Sequence, residues 1–375
     1  MRIRLAALLL MVFVLASCDS TSVSSVTPPA AAARIYHGTA SVGDFMTITV
    51  DSGAKTISYT DVSNNTSGTV PYVANSDGTY TLNDPTGNLV GAYEVPNYAL
   101  LIQAAKTGPN ADTPALITAV ESGQISLGTF EAHAYNIIQF RTAAGGLEVG
   151  SISVNAQGQG SISSFWPYGA FNPGNQSSSP FNTGMIDMSQ AQLDPSGTFL
   201  KVPEPNNEPG FAYVFGTADG IFAVDTGNGA ILGLKKAVSK DFDPTVAGTY
   251  KAIYYQKTGA TTGQGNVETG TASLGNASLV VSGGGVVTVT DARGNQIVQG
   301  TITPVADTSY LYGSSGKLTD PCYGVFTFRI TTPNVSQQDV FVTFMDKAML
   351  FASFTGNLSA NSSGTYNYMY GVALR

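Results

Sequence analysis

Along most of this chain hydrophobic and polar positions follow the period of a strand, not that of a helix. FMTITVD from Phe45, YNIIQFR from Tyr135 and YKAIYYQK from Tyr250 are rich in Val, Ile, Thr, Tyr and Phe, and parts of them alternate residue by residue. Such stretches predict half-buried strands. SLVVSGGGVVTVTD from Ser278 and DVFVTFMDKAMLFASF from Asp339 carry the same bias. Between them stand DSG at Asp51, NSDG at Asn75, DPTG at Asp84, DPSG at Asp194 and DTGNG at Asp225. These supply the residues that adopt positive φ in tight turns. Helical spacing is weak, and only Met185 to Leu193 and Lys235 to Phe242 predict a helical turn or two. The expected fold class is all-β.

The pattern repeats. GTASVG from Gly38 and GTASLG from Gly270 nearly coincide, GSISVN from Gly150 is a weaker copy, and the turn glycines Gly78, Gly197 and Gly316 are spaced by 119 residues. Each copy ends on an apolar strand series. LGTFEAHAYNIIQF from Leu127 matches AGTYKAIYYQK from Ala247, with no counterpart before the first copy. A period this long exceeds a propeller blade or solenoid turn and suits a small β-module with its own core. The expectation is three tandem barrel or sandwich modules over residues 34–123, 124–242 and 243–375, in meander order and lipocalin-like in build. One body whose modules share strands is the alternative.

The N-terminus departs from this pattern. Arg2 and Arg4 precede an unbroken apolar run from Leu5 to Leu15, followed by Ala16, Ser17 and Cys18. A run this short is a signal-peptide core and not a bilayer-spanning helix. Leu15 to Cys18 resembles the lipobox of bacterial lipoproteins, which implies cleavage after residue 17 and acylation of Cys18. An ordinary secretory signal, cut near Ala16 or Ser17, is the other reading. Several acyl chains make a stable anchor where one is marginal, so membrane lipid is the expected partner. Asp19 resembles a residue that retains lipoproteins at the inner membrane of enteric bacteria. That rule does not carry across bacterial groups, and the outer membrane or cell surface is the expected location. Residues 18–33, with Ser, Thr, Pro and Ala and no apolar period, read as a tether. Cys322, in TDPCYG, is the remaining cysteine and is expected to be a small half-buried side chain without an intramolecular partner.

Charge narrows the function. Only 11% of the 375 residues are charged, against about 25% in typical domains. Removing Arg2 and Arg4 with the leader leaves 15 of 17 basic residues against 25 acidic ones, a net charge of −10. Nucleic acid is excluded as a partner on that balance. His37 and His133 are the only histidines and lie outside any metal-ligand spacing, so neither a metal nor a cofactor is expected. Each histidine is read as a strand residue with a local hydrogen-bond partner.

Two sites remain. ITVDSGA at Asp51 and FAVDTGN at Asp225 resemble the apolar-Asp-Thr/Ser-Gly motif of aspartic peptidases, whose paired carboxylates share a proton. Ala54 and Asn228 stand where that family has Ser or Thr, and the two aspartates occupy unequal positions in their repeats. The alternative is a pair of turn aspartates. The second site is SSFWPYGAFNPGNQSSSPFN from Ser163, with Phe165, Trp166, Tyr168 and Phe171 among prolines and amides. Exposed, those rings suit a glycan or an apolar ligand; buried, they are core. With catalytic motifs missing, the expected function is non-catalytic binding or structural support at the cell envelope.

Overall fold

The computed structural model describes residues 33–105, 114–141, 146–166, 185–203, 210–227, 229–260, 270–291, 294–305, 323–332, 335–356 and 366–375. Residues 33–375 form one compact unit. Cys18, its tether and Cys322 lie outside the described residues.

The first module runs β1 Arg34–Ala40, β2 Phe45–Asp51, β3 Thr56–Asp61, β4 Thr66–Ala74, β5 Thr79–Leu82, β6 Leu89–Val95, β7 Ala99–Ala104 and β8 Ala115–Glu121. These eight strands close into a barrel in which β1 pairs with both β2 and β8. The second runs β9 Ala134–Arg141, β10 Gly146–Val154, β11 Gln159–Trp166, β12 Met185–Asp187, β13 Gln192–Leu193, β14 Leu200–Pro203, β15 Phe211–Gly216, β16 Ile221–Asp225 and β17 Gly229–Lys235. The third runs β18 Gly248–Ala260, β19 Thr271–Val281, β20 Val286–Thr290, β21 Gln296–Thr301, β22 Thr303–Pro304, β23 Val325–Thr332, β24 Val335–Met345, β25 Ala348–Gly356 and β26 Tyr366–Leu374. In both, the opening strand again pairs with the second and the last, β9 with β10 and β17, β18 with β19 and β26. All of these pairings are antiparallel. The lipocalin-like meander is therefore repeated three times, closed in the first module and interrupted between β12 and β13 and between β21 and β22.

The interruption has a local cause in the second module. Where β4 is continuous, its counterpart breaks at a 3-10 turn, Met188–Gln190, with the short β12 and β13 on either side. Gly78 and Gly197 occupy equivalent turns after these strands, with φ of +84° and +72°. Their N–H groups donate to Asn75 and Asp194 at 3.1 and 2.8 Å, which explains one 119-residue spacing. Gly316 lies outside the described residues.

The hexapeptide match is displaced by one strand. Gly38 sits inside β1, whereas Gly150 lies in β10 and Gly270 directly precedes β19. The counterpart of the two strands that follow GTF and GTY is β1 itself, so each module owns its opening strand and none is shared. Thr-, Val- and Gly-rich strands repeat their composition from one strand to the next, which lets a six-residue match slip. The second expected helical turn also moves, from Lys235–Phe242 to Pro244–Val246, where Asp243 Oδ1 accepts from Thr245 N at 2.9 Å and Pro244 starts the turn.

Each module has an inner core. Tyr36, Ile48, Ile57 and Leu100 fill the first, Tyr135, Ile152, Val214 and Phe222 the second, and Tyr250, Leu279, Phe326 and Phe351 the third. A further core joins all three from outside: Phe45, Leu101 and Leu116 meet Phe140, Phe215 and Leu232, together with Ile253, Leu350 and Tyr370. Phe140 stacks on Tyr370 with centroids 4.1 Å apart, and Phe45 on Tyr213 at 4.3 Å. Strands bordering this core are covered on both faces. ALLIQA of β7, ALITAV of β8 and GAILGL of β17 are buried at every position, which is why they read as near-continuous apolar runs, broken only at Gln103 and Thr118, instead of alternating. The three modules thus pack as one body through their outer faces.

Candidate functional site

A cleft of about 750 Å³ lies between the barrel and the third module. On one side stand the β4–β5 turn with Asn75 and Asp77, then Thr79 and Thr81 of β5 and Tyr93 of β6. Opposite are Lys251 of β18, Asn276 and Ser278 of β19, Thr290 at the end of β20 and Asp291 just after it. The rim is pre-organised by its own turn chemistry. Asn75 Nδ2 donates to Thr79 and Thr81 Oγ1 at 3.0 and 3.1 Å, and Thr79 Oγ1 donates to Asp77 Oδ1 at 2.6 Å. Those Thr79 hydrogen bonds, with Lys251 3.4 Å away, hold the Asp77 carboxyl below its usual range. Asn276 Nδ2 donates to Gln103 Oε1 at 3.4 Å and crosses the floor from one module to the other. Gly91 keeps that floor open, since a Cβ there would stand 3.2 Å from Gln103 Oε1.

The polar part of the lining is amide, hydroxyl and carboxylate with one ammonium and tyrosine faces, and Val90, Ala92, Ala252, Ile253 and Ala277 supply an apolar part. It can orient a ligand by many neutral hydrogen bonds. Among the described residues no three His, Cys, Asp or Glu side chains cluster as metal ligands.

The aspartates of the peptidase-like motifs are not brought together. Asp51 ends β2, where its Oδ1 accepts from Gly53 N and Ala54 N at 2.8 Å each, an ordinary turn aspartate. Asp225 is fully buried; Thr39 Oγ1 donates to its Oδ2 at 2.6 Å and Gly227 N to its Oδ1 at 3.0 Å. Thr39 is level with Phe45 in the β1–β2 register, and Asp51 lies six residues beyond Phe45. At ~3.4 Å per residue the two carboxylates stand roughly 20 Å apart, against the ~3 Å of a proton-sharing pair. Burial pushes Asp225 up to about 7. Its place is a seam, joining β16 to the outer face of the barrel.

His37 lies in the same seam. Its Nε2 is 2.7 Å from Thr198 Oγ1 and 2.9 Å from Ser122 Oγ, and its ring packs on Phe45, Phe199 and Phe215. Burial lowers its pKa to about 4, so it is a neutral packing residue held by two sequence-distant hydroxyls, with Thr47 Oγ1 of the neighbouring strand 3.4 Å from its Nδ1. His133, just ahead of β9, does have a local partner, with Nδ1 2.6 Å from Glu131 O.

Inside the barrel, Glu94 is the central polar group. Arg34 donates to both of its oxygens at 2.7 Å, and the Tyr36 and Tyr80 hydroxyls each donate at 2.6 Å. Burial opposes ionisation, yet the hydrogen bonds from Arg34, Tyr36 and Tyr80 hold its carboxyl below the usual range. This network closes the Arg34 end of the lumen.

Phe165 and Trp166 end β11, with Trp166 level with Val149 of β10. Their side chains, and Tyr168 and Phe171 altogether, lie outside the described residues. Sequence reasoning missed the cleft, because its residues belong to elements far apart in the chain and carry no motif.

No protein-family model matches the chain, and a search of curated proteins finds no match. Among solved structures the chain is similar to a point mutant of the vaccine antigen transferrin binding protein B from Haemophilus parasuis Hp5. That alignment has 8% identity and a TM-score of 0.30, and covers 88% of this chain and 66% of that one. It is also similar to isotype 1 transferrin binding protein B from serogroup B Neisseria meningitidis, at 9% identity and a TM-score of 0.26, covering 89% and 66%. The chain thus spans just under two thirds of the length of either. Likeness at this level transfers no residue role to this chain.

Proposed function

We propose that this chain is a non-catalytic binding protein of the cell envelope, anchored through an acylated Cys18, whose cleft takes a neutral, hydroxyl-rich ligand of the oligosaccharide class. The cleft between barrel and third module carries the reading. Its volume of about 750 Å³ falls within the ~300–1,000 Å³ of ligand sites, and such sites favour module interfaces. Asn75, Thr79, Thr81, Asn276 and Ser278 present donors and acceptors to sugar hydroxyls, while Tyr93 offers a ring face. Asp77 and Asp291, in a chain of net negative charge, disfavour an anionic glycan.

Binding to immobilised neutral cell-wall oligosaccharides tests this. Wild type should bind and Asn276→Trp, which fills the floor, should not; equal binding by both would remove the cleft from the account. Trp166 is the only tryptophan, so its emission reports on the aromatic stretch. A ligand-induced shift that survives Asn276→Phe, which fills the floor without adding a tryptophan, would move the site to Phe165, Trp166, Tyr168 and Phe171. For the anchor, Cys18→Ser should transfer the protein from the membrane to the soluble fraction; unchanged partitioning would refute lipidation. The expected location is the outer membrane or cell surface.

A further inference from the structure

The barrel holds a second space, separate from the cleft and independent of that reading. Its lumen is sealed at the Arg34 end by the Glu94 network. At the opposite end a slot of about 70 Å³ stays open. Ile48, Ile57, Ile102 and Ile117 wall it, and Asp61, Thr66 and Asn88 stand at its polar side. Asp61 and Thr66 face each other across the β3–β4 register, which places this side at the end of the barrel where β1 turns into β2.

The charge there is one-sided. Asn64 donates to both Asp61 oxygens, through N at 2.9 Å and Nδ2 at 2.8 Å, and Nδ2 also donates to Asp44 Oδ1 at 2.8 Å. Asp44 Oδ2 is buried without a hydrogen-bond partner. Burial, and after it the Asp61 charge, push the Asp44 carboxyl up against the hydrogen bond from Asn64. Among the described residues neither aspartate forms an ion pair. A near-buried carboxylate in the wall of an apolar slot, joined through Asn64 to a second one and with no cation of its own, favours a cation that carries an apolar tail.

We propose that the barrel binds a slim primary alkylammonium group, that of a short free amine, with its methylenes in the isoleucine slot and its nitrogen at Asp61. An ammonium has three N–H donors and no acceptor, and Asp61, Thr66 and Asn88, all with oxygen-bearing side chains, line the slot. A volume of about 70 Å³ is about half of a ~150 Å³ cavity that takes benzene. Room for about three carbons follows, with the fourth at the mouth. A carboxylate of the same length would meet like charge.

The full chain and butylamine test this by titration calorimetry and amide NMR shifts. Butylamine should shift signals along Ile57, Ile102 and Ile117, and butyrate should not. Affinity should rise about fourfold per methylene from ethylamine to butylamine and then level off. Asp61→Asn should weaken butylamine by about tenfold or more while leaving 1-butanol unchanged, a comparison that also shows the variant is folded. Ile102→Ala deepens the slot and should move the levelling point toward hexylamine. An Nα-acetyl-lysine amide carries its backbone at the end of the methylenes that the sealed lumen would have to take, so it should bind far more weakly than butylamine, and equal binding would overturn the placement. No butylamine binding, or equal binding by butyrate, would overturn it.

Discussion

Replacing Asp225 by Asn should change how stability depends on pH, by an amount that the seam itself sets. The Asp225 carboxyl is fully buried, and burial raises it from an ordinary 3.8 to about 7. Between those values the unfolded chain has released the proton and the folded chain keeps it. Stability from this group is therefore complete below about pH 4, falls by ~1.4 kcal/mol per pH unit as pH rises, and is lost above about pH 7, a total of about 4 kcal/mol. His37 acts in the opposite sense. Burial lowers its pKa from 6.5 to about 4, so the unfolded chain gains a proton that the folded chain refuses, and stability falls by about 3 kcal/mol as pH drops through that window. The two slopes nearly cancel where they overlap, and wild type alone would hide both.

Asp225→Asn separates them. Its amide oxygen can accept from Gly227 N, and its NH₂ can donate to Thr39 Oγ1, so the seam keeps both hydrogen bonds without the charge. Urea unfolding of both proteins across pH 4 to 8, read as the difference in unfolding free energy, removes every titration the two share. The variant should gain on wild type steadily from about pH 4 to 7, by about 4 kcal/mol in all, and then run parallel. A difference that stays level with pH would refute the burial argument; one that moves the other way would show Asp225 to be stabilised as the anion.

Glu94→Ala leaves Arg34 and two phenols without their acceptor and should cost about 3–5 kcal/mol, whereas Tyr80→Phe removes one hydrogen bond and should cost about 1 kcal/mol; urea midpoints compare them, and equal losses would deny Glu94 its central place. Gly371→Ala would put a Cβ 2.3 Å from Phe351 Cζ and 2.8 Å from the Ile253 carbonyl oxygen. That overlap should cost about 3 kcal/mol, seen as a lower thermal midpoint, and an unchanged midpoint would contradict the β18–β26–β25 packing. Because the modules meet through a shared core, circular dichroism and tyrosine fluorescence should report one coincident unfolding transition; three separated transitions would restore independent modules.

Strand content, turn positions and the threefold meander were legible in the sequence because they depend on neighbours. Alternation in FMTITVD, glycine at the positive φ of Gly78 and Gly197, and the 119-residue spacing between those turns are local properties. The near-continuous runs ALLIQA and GAILGL were equally visible. Read alone, such a run shows only that both faces are covered. The tertiary structure decided what covers them, since Leu101 and Leu232 find their partners in other modules. It also decided that Asp225 of β16 meets the β1–β2 hairpin at Thr39, the end opposite to Asp51. The same division holds for the sites. Asp77 and Lys251 meet across a separation of 174 residues, and the isoleucine slot forms only when β7 and β8 bring Ile102 and Ile117 to Ile48 and Ile57. Period-two alternation tells a strand which face to bury, but carries no label for the distant surface that will meet it, and contacts between strand faces are set by twist and module packing.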